Sequence, residues 1–167
     1  RKLEGKFDRI VSVGMFEHVG VPHYTEYFAK VNELLADDGR MLLHSIGYKK
    51  PSLATQPWLE KYIFCGGYLP ALSETIPFIE NAGFWVTDVE VLRLHYSYTL
   101  REWKKRFRSH EAQIKQMYDD TFFRMFDLYL AGCELAMIYS GTMAFQVQFC
   151  KNISAVPITR DYIYADE

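Results

Sequence analysis

A chain of 167 residues with 49% hydrophobic and 16% aromatic residues is long enough for one domain with a packed core, and too apolar for a disordered protein. The formal net charge of −2 gives no general attraction to nucleic acid, and no apolar run reaches the ~20 residues that span a bilayer. We therefore predict a globular protein that can meet a membrane only peripherally.

The cysteine and histidine spacings bear on redox state and metals. Cys65, Cys133 and Cys150 are far apart, odd in number and form no CxxC pair, which favours free thiols in a reducing cytosol. His18 and His23 are five residues apart, with no HExxH motif beside them. The sequence therefore predicts no metal site.

The predicted elements begin with a parallel pair of strands. Residues 9–15, RIVSVGM, are β-branched and nearly uncharged, as in a strand covered on both faces. From Tyr24 to Leu35 apolar residues recur at helical spacing, and residues 37–39, Asp-Asp-Gly, supply a stop. A second apolar run, RMLLHSIG at residues 40–47, completes a predicted right-handed βαβ unit.

The next segment is predicted to leave the sheet and return. Residues 48–70 contain three prolines and two adjacent glycines, which is typical of a segment that leaves the sheet. This segment could form a lid. Ser73 is then predicted to cap a helix that runs to about residue 82 and stops at Gly83. Residues 84–92 are predicted to form the next strand.

Two further helices are predicted. Thr99 and Glu102 have the spacing of a capping box, which predicts a helix over residues 102–107. A longer helix is predicted over residues 111–139, where aromatic residues recur every three or four positions.

The chain is predicted to end in a strand and a tail. The run TMAFQVQFCK, residues 142–151, alternates apolar and polar residues. We predict one domain over residues 1–151 and a polar tail over residues 152–167 that is ordered only in part. The sequence contains no repeat and no sign of a second domain.

Polar residues at the ends of two predicted strands mark a candidate site. Ligands of open α/β sheets gather at the carboxyl ends of the strands, where Glu17 and His44 both lie. The same pattern is explained if Glu17 caps the next helix and His44 is a core histidine, so the pattern alone leaves both interpretations open.

Five stretches together resemble a known family, and they follow in the order FDRIVSVGMFEHVG, LLHSIG, PWLEKYIFCGGYLP, HYSYTLREW and AFQVQF. From about residue 6 to residue 150 the chain is similar to the C-terminal part of the cyclopropane-fatty-acyl-phospholipid synthases, which are S-adenosylmethionine-dependent methyltransferases. The resemblance implies the C-terminal half of a Rossmann-like class I methyltransferase sheet, with helices and a helical insertion, and with its first three strands absent.

The resemblance also implies an activity. Members of this family transfer a methyl group from S-adenosylmethionine to the cis double bond of an unsaturated phospholipid acyl chain, and then lose a proton to close a cyclopropane ring. Related members stop at methyl-branched or hydroxylated products. Methylation of an alkene creates a carbocation, which requires an apolar aromatic cavity and a weak base close by.

The same resemblance assigns site residues. It implies that bicarbonate is the base and that it is held by Glu17, His44, the backbone amide of Ile46 and Tyr96. A carboxylate suits this anion only if it accepts the bicarbonate hydroxyl proton while the other three groups donate, so Glu17 would orient the base. Cys133 matches a cysteine of the family that is sometimes labelled catalytic, but its helical phase also fits core packing.

The cofactor site is incomplete in the sequence. None of the ten glycines forms a GxGxxG turn, and of the cofactor shell the chain retains the backbone around Val13 and Gly14. We therefore expect the isolated 167-residue chain to be inactive.

Two further sets of residues have open interpretations. One set is aromatic and forms either an acyl channel or plain core: Tyr62, Phe64, Tyr68, Phe122, Phe123 and Phe126. The other is basic and forms either a solvated helix face or a contact for anionic phospholipid headgroups, nucleic acid being a weaker candidate: Arg101, Lys104, Lys105, Arg106 and Arg108.

Other functions and partners are also compatible with the sequence. The chain could be a non-catalytic lipid-binding or dimerisation module, or part of a methyltransferase for another small acceptor such as an amine. Without a neighbour the first strand would present an open apolar edge. We therefore expect a homodimer formed through residues 9–15, or pairing with an N-terminal half.

Overall fold

A four-stranded mixed sheet organises the residues that the computed structural model describes, 2–51 and 56–164. The strands lie in the order β1-β2-β4-β3, with the bounds Phe7–Val13 (β1), Leu35–Tyr48 (β2), Trp85–Leu92 (β3) and Thr142–Cys150 (β4). β1 and β2 are parallel, whereas β4 runs antiparallel to both of its neighbours, β2 and β3.

Six α-helices lie between the strands in the described residues. Their bounds are Tyr24–Leu34 (α1), Pro57–Tyr62 (α2), Leu72–Asn81 (α3), His95–Ser109 (α4), Glu111–Met117 (α5) and Asp120–Leu135 (α6). Because α1 joins the parallel strands β1 and β2, the predicted βαβ unit is present.

One face of the sheet forms the main core. Alternation places the side chains of Met41 and Leu43 on the same face, and both are buried together with Val147 and Phe149 of β4. α1 and α3 cover this face through apolar residues that include Phe28, whose ring lies 6.0 Å from that of Phe149. The predicted amphipathic α1 is therefore confirmed.

A second apolar cluster joins α4 to α6. Leu100 and Leu130 are almost fully buried, and Met137 follows in a π-helical turn over Ala136–Ser140. Ile46 of β2 packs against this cluster. The helical arm, which comprises α4, α5 and α6, is therefore anchored at the carboxyl end of a sheet strand.

β1 differs from the prediction that it is covered on both faces. Ser12 is buried, but Val11 is 65% exposed and Val13 is 64% exposed. Val11 and Val13 pair in register with Leu42 and His44, so they lie on the face opposite the main core, and on this face β1 remains exposed.

Two predicted helix starts were wrong. α3 begins at Leu72, one residue before Ser73, and the Glu74 carboxylate accepts a hydrogen bond from the Ala71 amide at 2.9 Å. α4 begins at His95, so Thr99 lies inside the helix and does not cap it. In both cases the helix begins before the residue that was predicted to cap it.

The helix predicted over residues 111–139 is two helices. α5 ends at Met117, and the Asp119 carboxylate caps α6 by accepting a hydrogen bond from the Phe122 amide at 2.6 Å. Gly141, with a φ of 88°, then turns the chain into β4.

The returning end of the 48–70 excursion is tied to the sheet. The Tyr68 amide donates to the Glu17 carbonyl at 2.8 Å, and the Tyr48 amide donates to the Pro70 carbonyl at 3.0 Å. Residues 52–55 of the predicted lid lie outside the described residues. These two hydrogen bonds therefore hold the start and the end of the excursion against the sheet.

The tail lies on the polar face of the sheet as far as residue 164. Arg160 forms an ion pair with Asp88 at 2.7 Å, and the Gln148 amide nitrogen donates to the Tyr162 hydroxyl at 2.6 Å. Residues 165–167 are outside the described part of the chain, so partial order of the tail stays a prediction.

Candidate functional site

The site lies where β1 ends beside β2. The Gly14 amide donates to the His44 carbonyl at 3.2 Å, and Gly14 has a φ of 63°, which turns the chain away from the strand direction. Phe16 then stacks on Tyr24 with ring centroids 4.3 Å apart and is fully buried. This buried anchor fixes the short 3₁₀ turn that carries Glu17.

Glu17 takes the place of a strand residue. β1 has ended at this point, so the Ile46 amide, which faces the β1 side of β2, has no strand partner. It donates instead to Glu17 Oε1 at 2.7 Å. Glu17 is only 7% exposed, and Oε2 has no hydrogen-bond partner among the described residues. A buried carboxylate oxygen without a donor favours a bound group that supplies one.

His44 lies two residues before Ile46, so both side chains are on the same face of β2. It sits opposite Gln146 of β4, and His44 Nδ1 is 3.2 Å from Gln146 Nε2. The other ring nitrogen, Nε2, is thereby left for a ligand.

The opposite wall of the site is apolar. Tyr96 and Cys133 pack with Ile46 in the cluster between α4 and α6. Burial, reinforced by Cys133 and Glu17, raises the pKa of Tyr96, so its hydroxyl stays protonated and can donate. Burial also raises the pKa of Cys133 to about 11, which leaves a protonated thiol at neutral pH, as expected of a packing residue.

Residues 1–147 match the profile of a family described as Mycolic acid cyclopropane synthetase. The chain belongs to this family. It is 40% identical over 153 residues to a cyclopropane-fatty-acyl-phospholipid synthase of Escherichia coli strain K12, which covers 92% of the chain and 40% of that protein.

Two solved structures have the same fold. The cyclopropane synthase MmaA2 from Mycobacterium tuberculosis is 25% identical with a TM-score of 0.82, covering 89% of this chain and 56% of that one. The mycolic acid cyclopropane synthase CmaA1, complexed with SAH and CTAB, is 28% identical with a TM-score of 0.81 and the same coverage. The predicted class I methyltransferase fold is therefore confirmed, although this chain spans about half or less of each relative.

Within this chain, the predicted site residues come together in two groups. Val13 pairs with His44 across the parallel strands, which places Val13 and Gly14 at the same strand ends as Glu17. The second group comprises Ile46, Tyr96 and Cys133. The two groups meet because the Ile46 amide contacts Glu17.

The Ile46 amide differs in one respect from what the family resemblance implies. Among the described residues it donates to Glu17 Oε1, at 2.7 Å. Bicarbonate still fits the arrangement, because its hydroxyl can donate to Glu17 Oε2 while Tyr96 and His44 supply donors. The role of the amide in holding an anion stays a prediction, as does cofactor binding by Val13 and Gly14.

The candidate channel aromatics separate into different environments. Phe64 and Phe126 both contact Tyr129, which packs in the same cluster as Tyr96 and Cys133. The ring centroids are 5.8 and 5.1 Å from that of Tyr129, so both residues belong to the apolar wall. Phe123 stacks on Phe107 in the helical arm, whereas Tyr62 is about half exposed. The remaining two also have partners, since Tyr68 donates to Glu74 and Phe122 stacks on Tyr118.

The basic cluster on α4 is largely paired with acids. Glu134 is buried and accepts from Arg101 at 2.8 Å and Lys104 at 2.5 Å. Arg108 binds Asp127 at 2.6 Å, and Lys105 binds Glu102. The pairs with Glu134 and Asp127 clamp α4 to α6, whereas the Lys105–Glu102 pair lies within α4. All of these pairs reduce the charge available to a headgroup. No helix in the described part of the chain is both long and apolar enough to cross a membrane.

Sequence reasoning missed Gln146 and Tyr129. Tyr129 packs against the wall of the site, and its burial, with Cys133 and Tyr96 nearby, raises its pKa to about 12. The alternation of the last strand could have indicated Gln146, because it places that residue on the polar face. Among residues 2–51 and 56–164, no group of three or more His, Cys, Asp and Glu side chains could hold a metal ion.

Proposed function

We propose that the chain is part of an enzyme that methylates the cis double bond of unsaturated phospholipid acyl chains and closes a cyclopropane ring. The name of the E. coli relative, a cyclopropane-fatty-acyl-phospholipid synthase, supports the substrate class. The S-adenosylhomocysteine in the CmaA1 structure supports S-adenosylmethionine as the methyl donor.

The unpaired Glu17 Oε2 is the observation that carries this proposal. A structural carboxylate that served only to cap the Ile46 amide would expose its second oxygen to water or to another donor. Glu17 instead holds this oxygen in a buried position. It therefore accepts a hydrogen bond from a protonated ligand in the working enzyme.

The residues around Glu17 suit a proton-accepting anion. Tyr96, whose pKa is raised by burial, donates through its hydroxyl, and His44 donates through Nε2 while the ring is neutral. S-adenosylmethionine supplies the methyl group, and bicarbonate, when bound, supplies the base for the proton lost on ring closure. Glu17 orients this base and does not itself take the proton.

The apolar wall protects the cationic stage of the reaction. Methyl transfer to the alkene forms a carbon–carbon bond and leaves a positive charge on the neighbouring carbon, which water would trap. The rings of Phe64 and Phe126 each contact Tyr129, which packs in the same cluster as Cys133, and these apolar groups would keep water from the cation. Their faces also stabilise a cation. Cys133 contributes by packing, without forming a covalent bond.

The decisive experiment measures transfer of a labelled methyl group from S-adenosylmethionine to vesicles of unsaturated phospholipid by the complete gene product. We expect label in the lipid, and a Glu17→Gln variant that is slower by about a hundredfold or more because it cannot orient the base. Glu33→Gln, which changes an exposed carboxylate on α1, is the matched control and keeps full activity. Equal rates for both variants would refute the role of Glu17.

The competing functions give different products in the same assay. A lipid-binding or dimerisation module would bind the vesicles and transfer no label. A methyltransferase for a small acceptor would label an added amine and leave the lipid unlabelled. Mass analysis of the labelled lipid then separates a cyclopropane ring from a methyl branch.

We also propose partners for the exposed surfaces. The exposed Val11 and Val13 of the edge strand β1 favour pairing with another strand, from a second copy or from an N-terminal half of the protein. Light scattering that shows a stable monomer of this chain at high concentration would contradict this. Peripheral contact with the inner membrane surface has less support, because most cations of the α4 cluster already bind acids.

A further inference from the structure

Gln146 is hydrogen bonded to the imidazole of His44 from the neighbouring strand. The two residues are register partners across β2 and β4, and Gln146 Nε2 lies 3.2 Å from His44 Nδ1. An amide nitrogen can only donate a hydrogen bond, so Nδ1 has to accept it. A neutral imidazole that accepts at Nδ1 carries its proton on Nε2.

We propose that Gln146 is a positioning residue that holds His44 as the neutral tautomer protonated on Nε2. This role rests on the proposed function, in which Nε2–H donates to an anionic base beside Glu17 and Tyr96. Without the Gln146 donor the proton can occupy Nδ1, and Nε2 then turns a lone pair toward the anion. One hydrogen bond thus decides whether His44 attracts or repels the ligand.

The strand that carries Gln146 gives this bond a fixed geometry. β4 is paired on both sides, and Gln146 lies opposite His44 on β2 and Glu90 on β3. The flanking residues Phe145 and Val147 are fully buried on the other face. A change of face by Gln146 would expose both of these apolar side chains, so the amide is confined to the face of His44.

Gln148 offers a matched comparison on the same strand. It lies two residues away on the same face, but its amide nitrogen donates to Thr87 and Tyr162, and not to His44. The two glutamines are chemically identical and equally placed on β4, yet only Gln146 contacts the imidazole. Equivalent substitutions at the two positions therefore isolate the contact from general effects on the sheet.

The test measures the tautomer and the activity of the complete gene product labelled with ¹⁵N-histidine. A ring nitrogen without a proton resonates far downfield of one with a proton, and a His44→Asn variant identifies the His44 signals. We expect the wild type to carry its proton on Nε2. Gln146→Met, which keeps the length but removes the donor, should populate the other tautomer. Gln146→Glu, which offers an acceptor, should place a proton on Nδ1.

The kinetic effect should follow the tautomer. Removing the partner that orients a metal-ligating histidine typically lowers affinity or activity about tenfold to a hundredfold, and Gln146 would have the same orienting role for His44. We expect losses of this size in kcat for methyl transfer to unsaturated phospholipid vesicles, with KM for lipid little changed. Gln148→Met and Gln148→Glu, the latter adding the same charge nearby, should keep both the wild-type tautomer and a nearly normal kcat.

The outcomes separate the positioning role from the proposed function. A wild-type proton on Nδ1, or a tautomer unchanged in both Gln146 variants, would overturn the positioning role. So would equal loss of kcat in the Gln146 and Gln148 variants. A wild-type protein that transfers no methyl group to lipid would instead refute the proposed function, while the ¹⁵N spectra would still decide whether Gln146 fixes the tautomer.

Discussion

The two faces of the sheet are built by the same strands but have different roles: one forms the packed core, and the other carries polar residues of the candidate site. On one face Met41, Leu43, Val147 and Phe149 are buried beneath α1 and α3. On the other face, the residues that alternate with these include the partly buried polar side chains His44, Gln146 and Gln148, with Asp88 of β3 beside Gln148. Neighbouring residues in the sequence thus serve stability and chemistry separately, and single substitutions can change one without the other.

The largest effect should come from the apolar face. Phe149→Ala removes a fully buried ring that packs against Phe28 and Phe84, and should lower the free energy of unfolding by about 3–5 kcal/mol. Gln148→Ala, the neighbouring residue on the polar face, loses hydrogen bonds to Thr87 and Tyr162 and should cost about 1–2 kcal/mol. Denaturant unfolding measures both, and equal losses would contradict the division between the faces.

A smaller effect should come from the point where the returning excursion meets the apolar face. A methyl group on Gly47 would collide with the Pro70 carbonyl oxygen and the Phe145 ring, so Gly47→Ala should cost about 1–3 kcal/mol. Gly132→Ala in α6 is the control. Its added methyl group meets open space, and the gain in helix propensity should stabilise the protein by up to about 1 kcal/mol. Thermal unfolding curves that shift in the same direction would contradict this.

The smallest loss should come from the helical arm, which depends on charge as well as on packing. Glu134→Gln removes the carboxylate that clamps Arg101 and Lys104. Since Arg101 is 45% exposed, the cost at pH 7 should be about 1–2 kcal/mol, below that of a fully buried pair.

The pH dependence gives this last prediction its sign. Hydrogen bonds from Lys104 and Arg101 hold the pKa of Glu134 below its usual value of 4.5. The stabilisation is therefore complete above pH 4.5 and is lost as the pH falls through the lowered pKa. The stability difference between wild type and variant should shrink toward zero in acid. A difference that stays constant from neutral pH into this acidic range would contradict the ion-pair explanation.

Much of the fold followed from periodicity, and the errors arose at helix ends. The helical spacing from Tyr24 and the alternation of β4 were sufficient to predict those elements, because each has one buried face. Ser73 and Thr99 have the composition of caps but lie inside helices that begin earlier, at Leu72 and His95. The break before α6 was missed, although Asp119 three residues before Phe122 is a recognisable cap.

The site was only partly accessible from the sequence. Resemblance named Glu17, His44, Ile46 and Tyr96, and the fold brings them to the end of β2. The bond from the Ile46 amide to Glu17 could not be predicted, because it depends on where β1 stops. The pairing of His44 with Gln146 could not be predicted either, since it requires the register between two strands far apart in the chain.

The position of β4 has a consequence for the order of folding during synthesis. Of the four described strands, β4 is the last to leave the ribosome, yet it lies in the interior of the described sheet between β2 and β3. Until it emerges, β3 has no strand to pair with, and His44 has no Gln146. The nascent chain therefore leaves the two strand edges that β4 later covers, one on β2 and one on β3, unpaired while α4, α5 and α6 are synthesised, and a chaperone would protect these edges during this interval.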